Sequence, residues 1–365
     1  MHLTYRMATA EELTSVAAFN RRASGTEIPI EYWRWKYFDN PVGPCGVAIA
    51  LDGDEIVGLI AALAVPFRMG EQRLLASKME YNAVLAAYRG SGAYFGLVTT
   101  VFRELVDKPG VDFCFGIAIK ETRDLSVVLM GFEHVAPIGK LVQIINPVPH
   151  LRKKWKLPVP RWLGTPFARL KHRRSRGALR GFSTSAFEHF GEAHDEMWRE
   201  ARSKRLLVWR DASYLEWRYT ACPLQHYEKR QLSSGGSLLG WVVYHTYEER
   251  GVRYGILDEC FGREENPECL GPLVDLAIAG LLERDVDAIM AFAAPSTALY
   301  QALREHWFVR RPSARCLIVR GLSGRVPESV LASEDQWYYT IGDTEYWLFP
   351  EREGWLPPGN VVNIP

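Results

Sequence analysis

The sequence predicts a mixed α/β protein built as two similar domains, and three observations carry that reading. The chain has 365 residues, about twice a usual domain of roughly 150. Hydrophobic residues make up 47% and charged residues 24%, which excludes disorder, coiled coil and collagen. An internal repeat and a regular alternation of strand and helix signals supply the rest.

The repeat comes first. Glu31-Tyr-Trp-Arg-Trp-Lys-Tyr-Phe-Asp-Asn-Pro41 lies 182 residues before Ser213-Tyr-Leu-Glu-Trp-Arg-Tyr-Thr-Ala-Cys-Pro223. At that offset Tyr32 matches Tyr214, Trp35 matches Trp217, Tyr37 matches Tyr219 and Pro41 matches Pro223. Lys36 meets Arg218, which keeps the charge, and downstream Gly58 falls on Gly240. The offset is half the chain, as a duplicated domain requires.

The elements of the first half follow in order. Leu3 to Met7 reads as a strand, then Thr9 caps a helix from Ala10 to Asn20 with Glu12 at the capping-box position. A second helix, Ile30 to Phe38, stops before Asn40-Pro41 because the residue preceding proline avoids helical angles. Val47–Leu51 and Ile56–Phe67 flank Asp52-Gly53-Asp54, a hairpin signal. Arg73 to Leu85 is the next strand, followed by a loop over 86–92 and a helix from Ala93 to Val106. Phe113–Ile117 reads as a buried strand, Thr122–Met130 as a short helix, and Val135–Ile145 as a closing strand pair.

Composition changes abruptly between the halves. From His134 to Phe187 there is no Asp or Glu, while Arg152 to Arg180 carries eleven Lys or Arg. Prolines 147, 149, 158, 160 and 166 forbid one long helix, and Trp155, Trp162 and Phe167 interleave with the charges. The segment reads either as a solvated linker or as a surface facing an anionic partner: an acidic carrier, a phosphorylated ligand or an anionic membrane. The expected organisation is residues 1–148, a basic Pro-rich linker over 149–200, and residues 201–365.

Charge and cysteine usage narrow the class. Forty-four Lys plus Arg against forty-three Asp plus Glu leave a net charge of +1, without the basic excess expected of a DNA-binding protein. The longest apolar stretch, Ile56 to Phe67, falls short of the roughly 20 residues that span a bilayer. No signal peptide is read before Glu11 and Glu12. The six cysteines form no CxxC pair, which suits reduced thiols in a cytoplasm. The nine histidines show no spacing that would hold a metal.

The most informative segment is Asn82-Ala-Val-Leu-Ala-Ala-Tyr-Arg-Gly-Ser-Gly-Ala-Tyr94, a strand running through a glycine loop into a helix. Gly90 and Gly92 allow left-handed backbone angles. Successive amides can then converge on one anion at the positive end of the helix, and Arg89 adds a charge-assisted contact.

Val84-Leu-Ala-Ala-Tyr-Arg-Gly-Ser-Gly-Ala resembles motif A of the GNAT superfamily of acyl-CoA-dependent N-acyltransferases. Gly131-Phe132 resembles that family's later Gly-Phe signature, and the element order is similar. The resemblance covers about 1–148 well, and about 201–325 through the repeat and element pattern alone. It implies two tandem GNAT-like domains, each a mixed, mostly antiparallel twisted sheet flanked by helices. It also implies acetyl-CoA or another acyl-CoA as co-substrate. Arg89, Gly90, Ser91, Gly92, Ala93 and Tyr94 would cradle its pyrophosphate, and the backbone of Ala83 and Val84 would pair with its pantetheine arm. Tyr94 departs from the usual small residue. Val127 stands where many members keep a Tyr that protonates the leaving thiolate.

Attack on a thioester needs a neutral amine, and an alkylamine of pKa near 10 is mostly protonated at pH 7, so a base is required. Glu80 is the candidate: it lies four residues before Val84, so the two share a strand face. Tyr94, with Tyr88, is a candidate proton donor. Cys114 reads as core. In the second half, where the repeat predicts another phosphate loop, Cys260 to Gly271 carries Glu264, Glu265 and Glu268 and lacks the glycine pair. That half reads as degenerate, with Asp258 and Glu259 read first as structural carboxylates and second as partners of an acceptor ammonium. Helices are expected over Pro267–Leu282 and Ala298–Leu303, and a closing hairpin over Trp337–Leu348.

The function expected is therefore N-acyl transfer from acyl-CoA to a primary amine of a small molecule, an amino sugar being suggested by the resemblance. Two alternatives stand beside it: a Fem-like transferase that uses aminoacyl-tRNA, which the basic linker would suit, and a non-catalytic acyl-CoA-binding protein.

Overall fold

The computed structural model describes residues 2–155, 160–201, 203–249 and 251–344. Its first helical turn starts as the capping signal predicts: the Thr9 amide donates to Glu12 Oε2 at 2.9 Å. Arg6 on the preceding strand holds the same carboxylate at 2.5 and 2.7 Å.

In chain order the first half runs β1 (Thr4–Met7), α1 (Leu13–Ser24), α2 (Ile30–Tyr37), β2 (Gly46–Asp52), β3 (Glu55–Met69) and β4 (Gln72–Val84). It continues through α3 (Ala93–Val101), β5 (Phe113–Ile119), α4 (Lys120–Met130), β6 (Glu133–Pro137) and β7 (Lys140–Ile144). The basic stretch holds two helices, α5 (Pro147–Trp155) and α6 (Thr165–Ala178), broken as its prolines require. The second half then repeats the order with β8 (Ser183–Ala186), α7 (Glu192–Glu200), β9 (Leu206–Val208), α8 (Ala212–Leu215), β10 (Glu228–Ser234), β11 (Ser237–Glu249) and β12 (Val252–Gly262). After these come α9 (Pro267–Glu283), β13 (Ala288–Phe292), α10 (Ala298–Glu305), β14 (Val309–Arg311) and β15 (Arg315–Gly321). The described chain closes with α11 (Glu328–Leu331), β16 (Trp337–Tyr338) and α12 (Ile341–Thr344).

The strands form two mixed, mostly antiparallel sheets flanked by helices. One has the order β1-β2-β3-β4-β5-β15-β6, with β9 on β3 and β16 on β9; the other has β14-β7-β13-β12-β11-β10-β8. Both contain a parallel step at the corresponding place, β4 to β5 and β12 to β13. Gly58 and Gly240 play the same part in each. A Cβ on Gly58 would meet Leu97 of α3 at 2.9 Å, and one on Gly240 would meet Leu273 of α9 at 2.5 Å. Only glycine lets either helix lie that close to its sheet.

The halves exchange strands. β15 fills the slot between β5 and β6, and β7 fills the slot between β13 and β14. The closing pair expected over Val135–Ile145 is thus corrected: both strands form, but β6 and β7 belong to different sheets. Strand alternation has the same period whichever sheet receives it, so the partner is not encoded in the pattern. The hairpin expected over Trp337–Leu348 is corrected as well. Trp337–Tyr338 pairs in parallel with β9, and α12 follows because Arg210 captures Asp343 at 2.9 Å. Residues 345–348 of that expectation lie outside the described residues.

Candidate active site

β4 and β5 pair through Ala76–Phe113, Ser77–Cys114 and Lys78–Phe115, and there their ladder ends. Among the described residues β4 runs on to Val84 paired with β3, while β5 runs on to Ile119 paired with β15. The two strands thus part beyond Lys78, with residues 79–84 on the side of β4 that faced β5. An open strand edge presents backbone donors and acceptors to an extended ligand. Ala83 and Val84 lie on this edge, paired on their other side with Leu59 and Gly58.

Above Lys78 the β3–β4 register shifts between Leu59 and Ala61, opposite Glu80 and Ala83, so β4 carries a bulge. Tyr81 within it has φ +50°, a sparsely populated conformation for a bulky residue. Its ring packs on Trp33 at 4.8 Å. The bulge sets Glu80 opposite Ala61 and Val84 opposite Gly58, which corrects the expectation that the two share a face, and it turns the Glu80 side chain, 11% exposed, into a cluster of donors. Lys36 Nζ lies 2.6 Å and Lys78 Nζ 2.8 Å from its carboxylate, and the Tyr37 hydroxyl donates at 2.9 Å. Lys36 is wholly buried, and its ammonium sits over the rings of Tyr32, Tyr37 and Tyr81 at 5.5, 5.7 and 5.2 Å. Sequence reasoning missed Lys36 and Tyr37. The available signal was a cation kept at the same place in both copies of an aromatic helix.

At the end of β4 the chain makes a short turn over 86–88 and enters α3. Gly90 and Gly92 have φ +80° and +83°, left-handed angles that favour glycine. Gly92 is the N-cap of α3 and supplies no side-chain cap, so the first-turn amides from Ala93 are not covered from within the helix. Arg89, Gly90, Ser91 and Gly92 are exposed, and Ala93 is buried beneath them. The turn is pinned: the Tyr88 hydroxyl donates to Asp52 at 2.8 Å, and Ser91 Oγ donates to the Tyr88 carbonyl at 2.7 Å. That commitment takes Tyr88 out of the running as a proton donor.

Tyr94, in the first turn of α3, points inward beside Ser126 of α4, and its hydroxyl has no hydrogen bond of standard length. Burial pushes its phenol up to about 12. Ser126 adjoins Val127, the position where the resemblance expects a tyrosine. Cys114 is fully buried, and burial pushes its thiol well up, which makes it inert.

The second half closes the corresponding ground with its own side chains. The N-cap of α9 is Asn266, whose Oδ1 accepts from the Cys269 amide at 2.9 Å, and Pro267 removes a donor. Glu265 pairs with Arg205 at 2.7 Å. Asp258 and Glu259, read first as structural and only second as acceptor partners, are fully buried and engaged: Asp258 with His245 at 2.6 Å, Glu259 with Arg210 at 2.9 Å. Burial pushes both carboxyls up, opposed by His245 at Asp258 and by Arg210 at Glu259.

The family described as acetyltransferase (GNAT) domain matches residues 4–123. No curated protein matches the chain by sequence, but solved structures match its fold. A probable N-acyltransferase from Enterococcus faecalis V583 is 12% identical with a TM-score of 0.58, over 88% of this chain and 73% of that one. A GCN5-related N-acetyltransferase from Anabaena variabilis is 11% identical with a TM-score of 0.60, over 88% and 73%. The N-myristoyltransferase of Saccharomyces cerevisiae, solved with bound myristoyl-CoA, is 13% identical with a TM-score of 0.55, over 87% and 78%. At these identities the likeness is one of fold. Residues 4–123 thus match the acetyltransferase (GNAT) domain family, whose fold in the yeast neighbour holds a coenzyme A thioester donor.

The residues present suit such a donor: two left-handed glycines, an uncapped helix start and an exposed arginine, Arg89, whose Nε donates to the Val84 carbonyl at 3.4 Å. Among the described residues no group of three or more His, Cys, Asp or Glu could hold a metal ion. Nor is any helix there long and apolar enough to cross a membrane.

Proposed function

We propose that this chain transfers an acetyl or related acyl group from coenzyme A to a primary amine of a small molecule. Residues 1–148 would form the working domain, 149–200 the basic connector and 201–365 a degenerate GNAT-like copy. The observation that carries the reading is the left-handed Gly90 and Gly92 pair opening α3 beyond the point where β4 and β5 part, with a carboxylate cluster at the bulge below it. In this reading the amides of residues 89–94, with the Arg89 side chain, bind the pyrophosphate, and the Ala83–Val84 edge holds the pantetheine arm. The donor supplies an activated acyl carbon.

The chain's residues prepare the acceptor. Lys36 and Lys78 hold the Glu80 carboxylate in position. Glu80 takes up the proton released, relayed by a water because three donors already hold its oxygens. Tyr94 is the proton donor to the departing sulfur, standing in for the residue replaced at Val127. An amino sugar is the acceptor class favoured by the resemblance.

Thiol release from acetyl-CoA across a panel of amines tests this reading. Turnover with at least one small-molecule amine is expected. Coenzyme A binding without turnover on any amine would make the chain a sensor. Transfer from aminoacyl-tRNA without coenzyme A binding would make it a Fem-like enzyme.

A further inference from the structure

The basic stretch builds a specific surface. α6 packs against α9 with Ser175 turned inward, while Leu170 and Arg174, one turn apart on α6, and Leu163, in the short turn before it, are exposed. Leu163 is 46% and Leu170 68% exposed. Arg174 extends over the ring of Trp307 at 4.7 Å, and that ring is itself 56% exposed. Arg173 and Arg176 on the same helix are both exposed.

Trp307 is the telling residue. It follows α10 at φ +67°, just as Gly131 follows α4 at φ +66°, and each precedes a buried phenylalanine, Phe308 or Phe132. Glycine takes that conformation freely, whereas a bulky side chain is strained in it. Nearby carboxylates are engaged: Glu305 by Gln301 at 3.0 Å, Asp275 by His306 at 3.0 Å.

We propose that this face docks on the surface of an anionic lipid membrane. Leucine and tryptophan enter the headgroup boundary, where an indole ring is most at home. The surrounding arginines meet the phosphates. Exposed leucines favour lipid over nucleic acid, whose backbone rewards cations alone. The proposal stands apart from the acyl-transfer reading.

The test is sedimentation of the full chain with vesicles of phosphatidylcholine containing phosphatidylglycerol, against vesicles of phosphatidylcholine alone. The protein should pellet with the first at low salt, stay in solution with the second, and be released by added salt. Leu170→Glu and Arg174→Glu should each weaken partitioning about fivefold or more. Trp307→Gly should weaken it similarly. Equal pelleting with neutral vesicles, partitioning unchanged in all three variants, or retention by transfer RNA with none by anionic vesicles would overturn the proposal.

Discussion

The indole of Trp35 donates to the carbonyl of Trp217 at 3.0 Å, and the indole of Trp217 donates back to the carbonyl of Trp35 at 3.2 Å. The rings stack at 4.8 Å with 20° between their planes. Reciprocal contacts between matched positions are what a local twofold axis produces, so the two halves meet at this pair as two subunits would. Replacing either tryptophan by phenylalanine deletes one bond and orphans a buried carbonyl, at a cost of about 1–3 kcal/mol. Denaturant unfolding of both single variants and the double should reveal a coupling of about 1 kcal/mol. Strict additivity would contradict the reciprocal arrangement.

Exchanged strands tie the halves into one cooperative unit. Ile318 on β15 and Leu141 on β7 are buried in the sheet of the other half. Alanine at either position should cost about 2–5 kcal/mol. Calorimetry should still show one transition in each variant, because neither sheet is complete without the other half's strand. Two separated transitions would count against this.

The Arg6–Glu12 pair predicts an acid-sensitive start to the fold. Its hydrogen bonds to Arg6 and the Thr9 amide hold the Glu12 carboxyl down at about 2, below its ordinary 4.5. The folded state therefore binds this proton more weakly than the unfolded one. The stabilisation is complete above about pH 4.5 and is lost as pH falls toward 2. Solvent screening limits it to about 1 kcal/mol. Glu12→Gln should lower stability by that amount at neutral pH and by nothing near pH 2, measured by urea unfolding at both.

Tyr94 and Glu80 separate chemistry from packing. The Tyr94 hydroxyl is buried without a standard hydrogen bond, so Tyr94→Phe should leave the melting temperature unchanged or higher while slowing thiol release. Glu80→Gln should reduce turnover by about 10²–10⁴-fold at an unchanged KM for acetyl-CoA. Parent-like turnover in both variants would remove them from the mechanism.

Local signals were legible in the sequence because they act within a few residues: the Thr9–Glu12 cap, the Asp52-Gly53 turn, the proline breaks and the two glycines that open α3. The Trp35–Trp217 repeat and the Gly58–Gly240 match pointed to paired halves before any contact was known. Long-range partners were not legible. Nothing in the alternation of Lys140–Ile144 says which sheet receives it. Nothing in Lys36 says that it will lie under Glu80, because a bulge 44 residues away brings them together. Asp258 and Glu259 read as structural carboxylates, but nothing near them in sequence names their partners, His245 on β11 and Arg210 between β9 and α8.

The central claim is that the glycine loop of the first half, and no loop of the second, clamps a diphosphate. Melting curves with acetyl-CoA at about 100 times its dissociation constant test it most directly, since a binder gains about 2.7 kcal/mol, or on the order of 5–10 °C. That shift should appear in the parent and in Asn266→Ala, and vanish in Gly92→Val and Arg89→Glu. A shift that survives both first-half changes, or that disappears in Asn266→Ala, would contradict the account.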